Sequence, residues 1–103
     1  MKLFLSGAIS NYPNYKKEFE FFKYKLEQMG HTVISPADVV PPNIDYEEQM
    51  KLCFILIDFC QAVCFMPNWH SSSGSRRENM HAQSHKYKRY YFSADRESIY
   101  EAE

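Results

Sequence analysis

A chain of 103 residues supports one hydrophobic core and excludes two. With 45% hydrophobic and 24% charged residues it is neither disordered nor fibrous, and a net charge of -1 gives no support to a nucleic-acid partner held by electrostatics. Cys53, Cys60 and Cys64 are odd in number and lack a CxxC spacing, so they imply no disulfide framework and point to a reducing cytoplasm.

The run "LFLSGAI" is broken by Ser6 and Gly7 and is too short for a signal peptide or a membrane span, so a soluble intracellular protein is expected. Eight Phe and eight Tyr imply a bulky interior, with a surplus for a subunit interface or a ring-binding pocket.

Residues 2–6, "KLFLS", read as a buried strand closed by Gly7. Tyr15, Phe19, Phe22, Leu26 and Met29 then recur at spacings of four, three, four and three, which lays them along one helical face. Asn14 suits the N-cap of that helix, and Gly30 its left-handed ending. Residues 31–35, "HTVIS", form a second strand stopped by Pro36. "PADVVPPNID" reads as a loop stiffened by Pro41 and Pro42. Asp45 and Glu48 have the spacing of a capping box and open a second helix that runs to about Ile57.

A third strand is expected over 61–66, "QAVCFM", closed by Pro67. The loop "PNWHSSSG" leads into a third helix over roughly 75–86, and "KRYYFS" (88–93) reads as a fourth strand. The tail, 93–103, is expected at most to form a short helical turn after a domain that ends near residue 92. This alternation implies right-handed crossovers and a small three-layer α/β sandwich of flavodoxin or Rossmann type. Its parallel sheet would have about four strands, with helices on both faces. In such sheets ligands bind beyond the strands' carboxyl ends, where strand order reverses. Gly7 and Gly74 both fall in loops leaving those ends, where a permissive backbone lets a ligand come close.

The segment "SSSGSRRENMHA" (71–82) concentrates the chemistry. A helix start offers unpaired N–H groups to anions, and Ser71, Ser72, Ser73 and Ser75 add hydroxyl donors around Gly74. Arg76 and Arg77 each cost roughly 0.3–1 kcal/mol against the helix dipole unless a phosphate or carboxylate lies nearby. Glu78 has two readings that do not exclude each other. Ser75-x-x-Glu78 fits a capping box, and the same carboxylate would stand at the mouth of the crevice as a catalytic group.

"LFLSGAIS", "LEQMGHTVISPADV" and "FMPNWHSSSGSRRENMHA" together resemble the nucleoside 2-deoxyribosyltransferase-like family over about residues 1–92. The likeness is greatest to its short uncharacterised branch, often carried by phages or prophages and DUF4406-like. Gly74-x-x-x-Glu78 after a Pro-x-Trp loop is its most specific part.

The resemblance implies that Glu78 is the nucleophile, and that Ser6, Gly7 and the serines contact the sugar or its 5′-phosphate. It also implies a homo-oligomer with sites completed across the interface, and a nucleoside or nucleotide as the small-molecule partner. The chemistry would be attack by the carboxylate on the anomeric carbon, giving a covalent glycosyl-enzyme that water or a second base resolves. Hydrolysis makes the protein an N-glycosidase, and transfer a deoxyribosyltransferase. The four serines and two arginines favour the nucleotide. Tyr12 and Trp69 are candidates for the base or sugar, although packing beneath the serine turn is the preferred role for Trp69.

Relatives carry an Asp on the second helix and another at the start of the third strand. Here Cys53 and Gln61 stand in those places, with Asp58 close by but out of register. Protonation of the leaving base would then fall to Glu48, a partner subunit or solvent. That substitution favours the alternative of a weak or inactive nucleotide-binding module. Cys53, Cys60 and Cys64 read as buried small hydrophobes, with a reactive thiol the alternative for Cys53 at the former Asp position. A third class is an assembly protein whose aromatic surplus is an interface. No cofactor is implied. His70, His81 and His85 could ligate a metal, but a solvated helix face is the simpler reading and no metal site is assigned. "HKYKRYYF" mixes cations with aromatics as nucleic-acid binders do, but the preferred reading is a helix end with favourable cations running into a buried strand.

Overall fold

A computed structural model of the protein describes residues 1–10 and 12–102. Its strands are β1 (Lys2–Ser6), β2 (Thr32–Ile34), β3 (Ala62–Phe65), β4 (Lys88–Phe92) and β5 (Ile99–Glu101). Its α-helices are α1 (Tyr15–Gln28), α2 (Pro36–Val39), α3 (Tyr46–Phe59) and α4 (Ser73–Ser84), with a 3-10 turn at Trp69–Ser71. The sheet order is β2-β1-β3-β4-β5, with every pairing parallel except β4 with β5. The parallel part is the expected four-stranded doubly wound sheet, and strand order reverses between β1 and β3.

Alternation along the strands divides the core into two layers. Leu3, Leu5, Ala62, Cys64 and Met66 face α1, where they meet Phe19, Phe22 and Leu26. Phe4, Val63 and Phe65 face the other way, onto Cys53, Ile57 and Ala82 of α3 and α4. The period of two on each strand sends neighbouring residues to opposite layers. Phe22 packs on Phe92 with ring centroids 4.7 Å apart. Truncating a ring so placed costs about 3–5 kcal/mol, because the cavity left behind collapses only partly.

The helix ends follow local chemistry. Asp45 caps α3 in a complete capping box, accepting from Glu48 N at 2.8 Å while Glu48 Oε1 accepts from Asp45 N at 3.2 Å. Gly30 follows α1 with φ +94°, the conformation glycine tolerates best. Asn14 does stand at the N-cap of α1, but its side chain makes no cap bond.

Three expectations need correction. "PADV" is the short helix α2 rather than loop, because Pro36 at its first position is preset for a helical start. The third helix begins at Ser73, not Ser75, because Ser72 is the cap and accepts from Ser75 N at 3.1 Å. The tail forms β5 instead of a helical turn; only Glu103 of it lies outside the described residues. Ser93 N donates to Ser98 O at 2.8 Å and Arg96 takes φ 64°, so the chain reverses and covers the edge of β4. Among the described residues no helix is long and apolar enough to cross a membrane.

Candidate functional site

Both β1 and α4 end or begin at the carboxyl edge of the sheet, and their junction holds Glu78. Ser6 is the last residue of β1, on the face directed at α3 and α4, and is fully buried. Its Oγ donates to Glu78 Oε1 at 2.6 Å. Ser6 Oγ also lies 2.9 Å from Ser75 Oγ. A serine has one hydroxyl proton, so with Ser6 donating to the carboxylate, Ser75 supplies the proton of the second bond. Two hydroxyls thus form a short relay aimed at Glu78, and each polarises the next.

Glu78 is only 6% exposed. Burial pushes its carboxyl up to about 7, against the opposing pull of hydrogen bonds from Ser6 and from the Cys53 thiol. Cys53 is itself driven well above the ordinary thiol range, first by burial and then by the Glu78 charge and hydrogen bond. It is therefore a protonated neighbour of the carboxylate, and like Cys60 and Cys64 it is the expected buried residue of the core and not the alternative reactive thiol.

Glu78 lines a narrow cleft of about 50 Å³. Gly7, Ser72, Gly74 and Ser75 form one wall, and Tyr46, Gln49, Met50 and Cys53 the other. No Lys, Arg or His lines it among the described residues. A Cβ at Gly7 would collide with Met66 Sδ, so β1 leaves the sheet pressed against the end of β3 at the point of reversal. The four α3 residues are spaced i, i+3, i+4 and i+7, a single helical face. The sequence signal for this wall was present, but its mixture of Tyr, Gln, Met and Cys reads as core.

The proposed capping box Ser75–Glu78 does not form. Ser72 takes the cap, and Glu78, in the second turn, is free to bond across to β1. The remaining serines also have defined partners. Ser71 Oγ donates to Asn68 O at 2.8 Å, leaving Tyr12 OH, 2.8 Å away, to donate to Ser71. Ser73 Oγ pairs with Tyr46 OH at 3.1 Å. The serine cluster therefore ties the β3–α4 loop to β1, to the loop after it and to α3.

Several candidates lie away from the cleft. Arg76 Nη1 donates to His70 O at 2.6 Å, and Arg77 pairs with Glu47 at 2.9 Å. Neither guanidinium needs an anionic ligand to offset the helix dipole, because the loop carbonyl and the α3 carboxylate do so. Glu48 is engaged in the capping box and Tyr12 in holding Ser71. Trp69 packs on Phe65 and Tyr91, at 5.1 and 5.5 Å between centroids, beside a separate wider groove of about 630 Å³. Gln61 accepts from Lys2 N at 2.7 Å at the amino edge of the sheet, so an acid there could not reach this site. His70 packs tilted on Trp69, whereas His81 and His85 cluster with Asp58 at the far end of α3 and α4.

A small doubly wound α/β domain with one buried carboxylate at its topological switch point is the class that fold and site define. A family model described as a domain of unknown function, DUF4406, matches residues 1–93, and the chain belongs to that family. No curated protein and no solved structure matches it significantly.

Proposed function

We propose that the protein is an N-glycosyl enzyme acting on a nucleoside or nucleotide, as a hydrolase or a 2-deoxyribosyltransferase, with Glu78 as nucleophile. The observation that carries this reading is the Glu78 carboxylate in the switch-point cleft, held at 2.6 Å by Ser6 and flanked by neutral groups. A carboxylate removed from water is a better nucleophile and a stronger stabiliser of a cationic sugar than one that is solvated. Glu78 attacks C1′, the C1′–N bond breaks, and the base leaves with the electron pair and a proton. Water or a second base then attacks C1′ and releases Glu78.

The proton on the leaving base has no second carboxylate behind it in the cleft. Cys53 is too weak an acid, and Glu48 caps a helix. Loss of general acid help lowers such rates by roughly 10²–10⁴-fold, so turnover is slow unless a partner subunit or the substrate supplies the proton. The cleft is also smaller than the roughly 300–1,000 Å³ of a typical ligand pocket. Binding therefore requires the Tyr46 and Met50 rim to open, or a second copy to complete the site. Ile55, Phe59 and Met80 are exposed on α3 and α4 and would serve that homo-oligomer. A reducing cytoplasm suits the three free cysteines.

The neutral rim also favours the second reading, a module that binds a nucleoside or nucleotide without turnover. Both are tested by incubating the protein with deoxynucleosides and their monophosphates and measuring free base and a sugar adduct by mass spectrometry. The enzyme reading expects base release and an adduct on Glu78, both abolished in Glu78→Ala. Undiminished release by that variant would overturn Glu78 as nucleophile. A thermal shift with ligand but no product would establish the binding module.

A further inference from the structure

At the opposite end of the same helices, one ring nitrogen each of His81 and His85 and a carboxylate oxygen of Asp58 lie within 4.8 Å of one another. We propose that these three residues bind a divalent first-row transition ion, Zn²⁺ by preference, as a surface clamp joining the carboxyl ends of α3 and α4. This site is independent of the glycosyl reading.

Two imidazoles four residues apart on a helix, with one carboxylate from a neighbouring helix, make a borderline nitrogen–oxygen donor set. It suits Zn²⁺ and its neighbours better than Mg²⁺ or Ca²⁺. The rings are already oriented. His85 Nδ1 lies 2.8 Å from His81 O, and because a carbonyl only accepts, Nδ1 carries the proton and Nε2 keeps its lone pair. Hydrogen bonding of one imidazole nitrogen to a backbone carbonyl is the usual support behind a metal-ligating histidine.

His81 is stacked on Phe54 at 4.5 Å and 13°, and its Nε2 sits 2.8 Å from Asp58 Oδ1. Tyr87 OH donates to the same Oδ1 at 2.9 Å, fixing the carboxylate from its other side. Two donors on a tetrahedral Zn²⁺ stand roughly 3.3 Å apart, given bonds of about 2.0–2.1 Å, so the ion enters with a small widening of the His81–Asp58 pair. His81 changes tautomer to bind, its Nε2 giving up the proton donated to Asp58 while Nδ1 takes one from solvent, so the ring stays neutral and Nε2 gains a free lone pair. Solvent fills the remaining coordination.

Two helix carboxyl ends converge here, each with partial negative charge, and the last turn of α3 carries no basic residue to neutralise it. A divalent cation compensates both at once.

The test uses the tag-free full chain, stripped with chelator and titrated with Zn²⁺ by calorimetry, and with Co²⁺ by visible absorption. The expected result is one equivalent bound, a raised Tm, and Co²⁺ bands of a nitrogen–oxygen site without thiolate charge transfer. His85→Ala, at an exposed position, should weaken binding by about 10-fold or more while leaving the metal-free Tm close to the parent's. Tyr87→Phe should weaken it by roughly 10-fold through the carboxylate it orients. Absence of saturable binding at micromolar Zn²⁺ would overturn the site. So would binding that survives His85→Ala but disappears in His31→Ala, since Met1 N and His31 Nδ1, 3.1 Å apart, are the competing pair.

Discussion

Helices α3 and α4 carry an acid at each end, and the two acids are held in opposite ways. At the carboxyl edge of the sheet Glu78 is buried among hydroxyls and a thiol, and burial raises its carboxyl to about 7. At the amino edge Asp58 is open to solvent, and the hydrogen bond from His81 dominates and lowers its carboxyl. The positions lie on one packed helix pair. Depth and the nature of the partner therefore decide whether a carboxyl group changes charge near pH 7 or is already ionised well below it.

The largest effect expected beyond loss of turnover is on stability against pH. Glu78 has an ordinary value of 4.5 in the unfolded chain and about 7 in the folded one, so between those values the folded state binds the extra proton. Its stabilisation is complete below pH 4.5 and is lost as pH rises through 7. The shift corresponds to something on the order of 3 kcal/mol, or roughly 10 °C or more in Tm for a chain of this size. Glu78→Gln should abolish that decline when Tm is followed from pH 5 to pH 8.5. Asp58 works with the other sign, since its contribution is present above its ordinary 3.8 and fades as pH falls through the lowered folded value. Asp58→Asn should therefore flatten only the acid arm. Parallel curves for parent and Glu78→Gln would erase the contrast between the two ends.

Ser6→Ala sharpens the comparison at one bond. Removing the donor leaves a buried carboxylate with one partner fewer, which costs about 1–3 kcal/mol when Glu78 is ionised and less when it is protonated. If Glu78 is the nucleophile, turnover rises with pH as it ionises, and in Ser6→Ala this limb should move to higher pH. A limb that stays in place would mean that Ser6 does not set the ionisation of the attacking group.

Much of this arrangement is legible in the sequence because it rests on local rules. The Asp45–Glu48 box, the Phe19–Phe22–Leu26 face and the Gly30 ending require only contacts within a few residues, and each forms as its spacing implies. The switch point follows from alternating elements, so Gly7 and Glu78 fall together at the expected edge. Contacts across the fold are not legible in the same way. Ser75-x-x-Glu78 has capping-box spacing, but Ser72 competes for the same N–H groups, and only the packing of β1 on α4 gives Glu78 its bond to Ser6, 72 residues away. Position near the expected crevice points Arg76, Tyr12 and Glu48 at a ligand, but their partners in the folded chain are protein groups. The His81–Asp58 contact joins residues 23 apart on different helices, which no spacing within α4 encodes. The tail pairs as β5 because β4 offers an open edge, a tertiary cause that its polar sequence does not announce.

The smallest expected effect separates two ways of holding an anionic substrate. Arg76 Nη1 is bonded to His70 O on the exposed side of the loop, and the cleft around Glu78 is lined by neutral groups together with the one acid. A 5′-phosphate entering it would then be held by backbone N–H groups at the start of α4 and by serine hydroxyls. Arg76→Ala should leave KM for deoxynucleosides and for their monophosphates within about twofold of the parent, and lower stability by about 0.5–1.5 kcal/mol for the exposed hydrogen bond. Only a cation that reaches the phosphate would raise KM for monophosphates alone. That result would require Arg76 to leave His70 and turn into the cleft on binding, and the charge contrast between the two ends of the helix pair would then hold only for the unliganded protein.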